Sequence, residues 1–321
     1  MAEHSEKHID ASIAAIRDQT LSPEQAANVI AEQCRQALKS APTNDRVTQQ
    51  GDTPWLENFL WFFWSKLVEL AQEDSSVHDR TAHVLAALKA KGSEGCEGWR
   101  VWWSQTSWAE LPLLGPVSRE EMNGPQQWFK LRGPDSLDVS TPKAQALLAG
   151  DAPTHDDPET REVVKARQKW LNMNAFLAQL WALGVVDEAF FGISAMIAGL
   201  EPLTLASTRR PTREQAGVFD GPQELLIEVA SVWLRIAGAR MYACREILGP
   251  KGDPDWDARR GCPGRSGGTW DGVDGYHPDR WRYWKGILQE VAKGEWRTNV
   301  IEAAQAAVDA MNQLEREAVS A

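Results

Sequence analysis

The sequence predicts an all-α protein: a single irregular multi-helix array with a Trp-rich core or pocket. Three observations carry that expectation. Apolar residues recur at three- and four-residue spacing along most segments, and sustained period-2 alternation is absent. Helix start and stop residues sit at the edges of those segments. Tryptophan has 16 copies against 8 phenylalanines and 3 tyrosines, and irregular helical packing needs bulky fillers.

Each element has its own warrant. Residues 1–20, opening MAEHSEKHID, read as a polar N-terminal segment, and 21–317 as one helical domain. Ser22-Pro23-Glu24-Gln25 starts a helix running to about Leu38, with Ser as cap, Pro in the first turn and Gln closing a capping box. A polar connection follows to Asp52. The helix from Trp55 to Gln72 carries Phe59-Leu60-Trp61-Phe62-Phe63-Trp64, apolar on all faces, which predicts central burial. Asp79 to Ala90 is a helix stopped by Gly92. Residues 96–135 are punctuated by Gly and Pro, so short helices and turns are expected there. Trp99, Trp102, Trp103, Trp108 and Trp128 are expected to anchor that segment onto the core. A short helix near Pro142–Ala149 precedes a long one opened by His155-Asp156-Asp157-Pro158-Glu159 and ended by Gly184, its early carboxylates complementing the helix dipole. Further helices are expected over 187–200, 222–248, 279–292 and 298–317, with a connection over 202–222. Residues 250–278 form a long loop with Gly252, Gly261, Gly264, Gly267, Gly268, Gly272 and Gly275, and such loops are usually functional or disordered.

Composition excludes several classes. With 43% hydrophobic and 25% charged residues the chain is neither disordered nor collagen-like. A net charge of −11 argues against a phosphate-backbone binder, so no nucleic-acid partner is expected. No stretch approaches the ~20 apolar residues of a membrane span, and the N-terminus lacks an apolar signal core. Cys34, Cys96, Cys244 and Cys262 form no Cys-x-x-Cys pair and have no His cluster nearby, so a structural zinc site is not expected. Reduced thiols in a cytoplasmic protein are the expectation.

Three stripes carry candidate chemistry. On the helix from 158, Trp170, Asn174, Leu177 and Trp181 share a face. Asn174 either satisfies a neighbouring backbone group or orients a ligand. On the helix from 222, Trp233, Ala237, Arg240 and Cys244 align, and Arg240 needs a carboxylate, carbonyls or an anionic ligand if buried. On the helix from 279, Trp281, Trp284 and Leu288 align, and Lys285 either lies along Trp281 or donates to a substrate. Converging stripes make a small-molecule site, mostly apolar with few polar groups; equally, they anchor a large core. His155-Asp156-Asp157 is explained by capping and His277 as a solvated loop residue. No nucleophile elbow, P-loop, dinucleotide fingerprint or His-Glu-x-x-His is present.

Several stretches resemble the fungal domain-of-unknown-function family 3632. They are Leu21-Ser22-Pro23-Glu24-Gln25-Ala26-Ala27, Gly98-Trp99-Arg100-Val101-Trp102, Leu111-Pro112-Leu113-Leu114-Gly115, Trp170 through Ala178, and Arg280-Trp281-Arg282-Tyr283-Trp284-Lys285 after the Gly-rich loop. Together they cover about residues 20–315. The extra tryptophans and Arg259-Arg260-Gly261 depart from the pattern. The resemblance implies a fungal, intracellular, mainly helical protein and no stated activity; association of such families with secondary metabolism favours a small-molecule pocket.

The first functional expectation is a cofactor-independent enzyme that holds an apolar small molecule and promotes its cyclisation or rearrangement, an intramolecular Diels–Alder step among the options. Asn174, Arg240 and Lys285 would act as catalytic donors. Trp170, Trp181, Trp233, Trp281 and Trp284 would line the pocket, with Trp270 on a lid. The alternative is a non-catalytic helical ligand-binding or protein-interaction protein, marked by an exposed apolar patch.

Overall fold

The computed structural model describes residues 2–40, 53–122, 141–203, 221–266 and 268–320. Among them are eleven α-helices and one two-stranded sheet. Contacts divide the chain into two compact units. The first is Met1–Asn123 with Leu183–Val185; the second is Gly124–Ala182 with Val186–Ala321.

The first unit opens with α1 (Ala2–Arg17), a helix where the sequence reading placed a polar segment. Ile9, Ser12 and Ile16 are buried at three- and four-residue spacing, a narrow apolar stripe that the polar remainder of the segment obscures. α2 (Pro23–Ser40) starts at the expected box: the Ser22 N–H donates to Gln25 Oε1 at 2.7 Å and the Gln25 N–H to Ser22 Oγ at 3.2 Å. In α4 (His78–Ala90), Arg80 donates through Nε to the Ile16 carbonyl at 2.6 Å, placing a cation on the C-terminal end of α1.

α3 (Pro54–Glu73) is the most apolar helix of this unit. Leu56, Phe59, Leu60, Phe63, Trp64 and Leu67 are buried, and the Trp64 indole donates to the Pro112 carbonyl at 2.7 Å. The helix is not enclosed on every side, however: Phe62 is 58% exposed and Trp61 half-buried. The exposed positions Asn58, Phe62, Lys66, Glu69 and Glu73 recur at three- and four-residue spacing, so one row of the helix stays outside.

His78 at the start of α4 is buried, with Nε2 2.7 Å from the Ala71 carbonyl. Burial lowers its pKa below the ordinary histidine value, against the opposing pull of that carbonyl and of Asp74. The unfolded chain therefore takes up a proton more readily than the native one. This contribution is fully present above about pH 6.5 and declines as pH falls through that value toward the lower native pKa. His78→Asn is expected to flatten the fall in urea midpoint between about pH 7 and pH 5. An unchanged fall would assign acid sensitivity to another group.

After α4 a short hairpin pairs β1 (Arg100–Val101) with β2 (Ser104–Gln105), Arg100 opposite Gln105 and Val101 opposite Ser104. Its two turn residues are Trp102 and Trp103, with φ of 50° and 66°. Two-residue turns of this kind favour Asn-Gly, because both centres are left-handed. A side-chain-bearing residue pays about 1–2 kcal/mol at each. These indoles also depart from the expectation that they anchor the segment: Trp102 is 47% and Trp103 68% exposed. Trp99 and Trp108 do the anchoring, buried and packed edge-on at 5.0 Å. The turn projects its side chains away from the strands, which is why burial fails at its tip. Trp128 lies outside the described residues. α5 (Leu114–Glu121) completes the unit.

The second unit contains α6 (Pro142–Leu148), α7 (Pro158–Ala182), α8 (Ala189–Leu200), α9 (Gln223–Ala243), α10 (Pro278–Lys293) and α11 (Thr298–Ser320). α9 is central, packed against α7, α8 and α11, while α10 lies on α11. α7 starts where capping predicts: Asp157 accepts the Thr160 N–H at 2.9 Å and the Lys143 ammonium at 2.9 Å, which hold its pKa well below the carboxylate range. His277 caps α10 through Nδ1, accepting the Asp279 N–H at 3.2 Å. α9 stops at Ala243, five residues short of the expected Leu248, because the following backbone pairs elsewhere. The Tyr276 N–H donates to the Glu246 carbonyl at 2.9 Å, and Ile247 bridges Gly275. A Cβ on Gly275 would stand 2.2 Å from that carbonyl, so this crossing requires glycine. No helix among the described residues is long and apolar enough to cross a membrane.

Candidate functional site

The expected stripes of α7, α9 and α10 meet in part. Trp181 and Trp233 pack edge-on with centroids 6.3 Å apart. Trp284 joins them through Tyr276, whose ring is 5.8 Å from Trp181 and 6.2 Å from Trp284. Tyr276 fills the place where the stripes converge. It is buried, its hydroxyl donates to the Ala189 carbonyl at 2.7 Å, and burial pushes its pKa well above the phenol value. A Cβ on Gly192 of α8 would lie 2.8 Å from that hydroxyl and 3.0 Å from Trp181, so backbone approaches this cluster closely. Such aromatic pairs each contribute about 0.5–1.5 kcal/mol beyond their area.

The polar residues of the stripes have internal partners. Asn174 is 1% exposed, donates through Nδ2 to the Trp170 carbonyl at 2.9 Å, and accepts the Trp233 indole N–H on Oδ1 at 2.9 Å. It thus satisfies a backbone group one turn back and an indole on the facing helix. Lys285 pairs with Glu315 of α11 at 2.6 Å, and the other oxygen of Glu315 accepts the Trp281 indole N–H at 2.9 Å. Trp281 turns toward Tyr242, 5.1 Å away, and away from Tyr276. Arg240 is exposed, with Nε 3.4 Å from the Ala182 carbonyl at the end of α7. Trp170 is buried at 3% exposure. The structure therefore gathers Asn174, Trp181, Trp233 and, through Tyr276, Trp284; Trp170 meets Asn174 through its backbone carbonyl, Lys285 and Trp281 are held against Glu315 of α11, and Arg240 stands at the surface.

Trp270, expected on a lid, is half-buried. Its N–H donates to the Val273 carbonyl at 3.0 Å, and its ring packs on Tyr283 at 5.6 Å. The loop that carries it is fastened at several points. Asp274 is 2% exposed; its carbonyl accepts from Leu248 and its Oδ2 accepts the Lys251 N–H at 3.0 Å. The Thr269 N–H donates to the Glu201 carbonyl at 3.2 Å, where a Cβ on Gly268 would come within 1.8 Å.

Sequence reasoning missed the group that holds this region together. Arg280 and Glu201 are both fully buried and paired in two parallel bonds, Nε–Oε1 at 2.7 Å and Nη2–Oε2 at 3.0 Å. Nη1 of Arg280 donates to the carbonyls of Gly264 at 2.8 Å and Gly275 at 3.1 Å. The Trp284 indole donates to Glu201 Oε1 at 2.9 Å. Two signals were present: Arg280 precedes Trp284 by one helical turn, and Glu201 stands at the C-terminus of α8, where the dipole disfavours a carboxylate. Near this cluster the Glu246 carboxyl is raised by burial and by the charge of Asp187, against Arg260.

Open depressions also lie elsewhere among the described residues, each within one unit. One, of about 750 Å³, is lined by His155, Arg161, Val164 and Lys165 among others. Another, of about 510 Å³, runs between Arg35 and Lys91 over Trp108. Among the described residues no group of three or more His, Cys, Asp or Glu side chains is placed to hold a metal ion.

These features define an all-α protein with a hydrogen-bonded aromatic interior. Residues 64–288 match the model of a family described as a protein of unknown function (DUF3632), and the chain belongs to that family. The match includes the Trp170–Ala178 and Arg280–Lys285 stretches and leaves Leu21–Ala27 outside. No curated protein and no solved structure matches the chain.

Proposed function

We propose that this chain is a non-catalytic helical protein that binds a partner through exposed aromatic side chains. One observation carries the reading: the polar groups a cyclase would aim at a substrate are spent or displaced. Asn174 is bonded at both ends, Lys285 is paired with Glu315, and Arg240 stands at the surface. A donor already bonded inside the protein must break that bond before it can polarise a substrate carbonyl. Exposed aromatics, by contrast, mark contact surfaces. A cytoplasmic setting, with four free thiols, and no nucleic-acid partner, given the acidic charge, belong to the same proposal.

A cofactor-independent cyclase acting on an apolar small molecule is the second reading. It is favoured by the convergence of Trp181, Trp233 and Trp284 on Tyr276. Metabolite profiling of source cells separates the two. Cells carrying Arg240→Leu and Lys285→Met together, with unchanged protein abundance, are expected to keep the wild-type profile. A compound that accumulates only in the variant replaces the binding reading with the cyclase.

A further inference from the structure

We draw no further inference here: the strongest candidate, the exposed aromatic surface of Trp102 and Trp103 at the tip of the β1–β2 hairpin, carries nothing because nothing in the structure shows what covers it.

Discussion

Replacing Glu201 with alanine is expected to lower the stability of the second unit by about 3–5 kcal/mol. Among the described residues the carboxylate is the one charged partner of a guanidinium that is itself fully buried, and it also accepts the Trp284 indole N–H. Its loss leaves Arg280 with loop carbonyls alone and orphans a buried donor. Arg280→Met is expected to cost a similar amount by stranding the carboxylate. The double variant Glu201→Leu with Arg280→Met is expected to cost much less than the sum, because neither charge is then left alone in the interior. Arg280→Lys does not rescue: an ammonium cannot reach both carboxylate oxygens and the carbonyls of Gly264 and Gly275 at once. Urea denaturation followed by tryptophan fluorescence reads the energies. Hydrogen exchange reads the consequence for the Gly-rich loop, where the amides of Leu248, Gly264 and Thr269 lose protection before those of α9. A loss below about 1 kcal/mol for Glu201→Ala would mean that water reaches the pair.

The elements were legible where local chemistry decides them. The Ser22–Gln25 box and the Asp157 cap act through bonds within a few residues, so pattern suffices to find them. α9 was read too long because the signal at Gly249-Pro250 is a general stop, whereas the true end is set by pairing with Gly275, far along the chain. α1 was missed because two isoleucines and a serine in a charged segment make little periodic signal. The exposure of Trp102, Trp103 and Phe62 was illegible for another reason: hydrophobicity predicts burial, and only the backbone geometry of the turn and the packing around α3 reveal the exception. At the aromatic interior, the stripes identified which residues meet, but not what stands between them. Tyr276 comes from the loop, outside any helical period, and it decides whether the stripes enclose a space or a side chain.

Trp233→Ala is expected to cost about 3–5 kcal/mol, the range for removing a large aromatic from a packed core. Trp233 is fully buried, touches Trp181 edge-on, and satisfies Asn174 Oδ1. Truncation therefore loses dispersion contacts on every side, opens a cavity next to Gly192, and leaves a buried carbonyl oxygen without its donor. Trp233→Phe keeps much of the volume and is expected to cost less, with the Asn174 deficit remaining. Added free indole should raise the melting point of Trp233→Ala and leave the wild type unmoved. The ligand restores both the volume and the N–H, and stabilises by mass action only a state that has a vacancy of its shape. The same measurement bears on function. A wall residue already faces open space on one side, so its truncation forfeits few contacts and creates no new enclosed void. A cost below about 1 kcal/mol with no response to indole would place Trp233 on the edge of an open volume. In that case the interior would have room for an apolar substrate, and the cyclase would become the better reading of the three stripes.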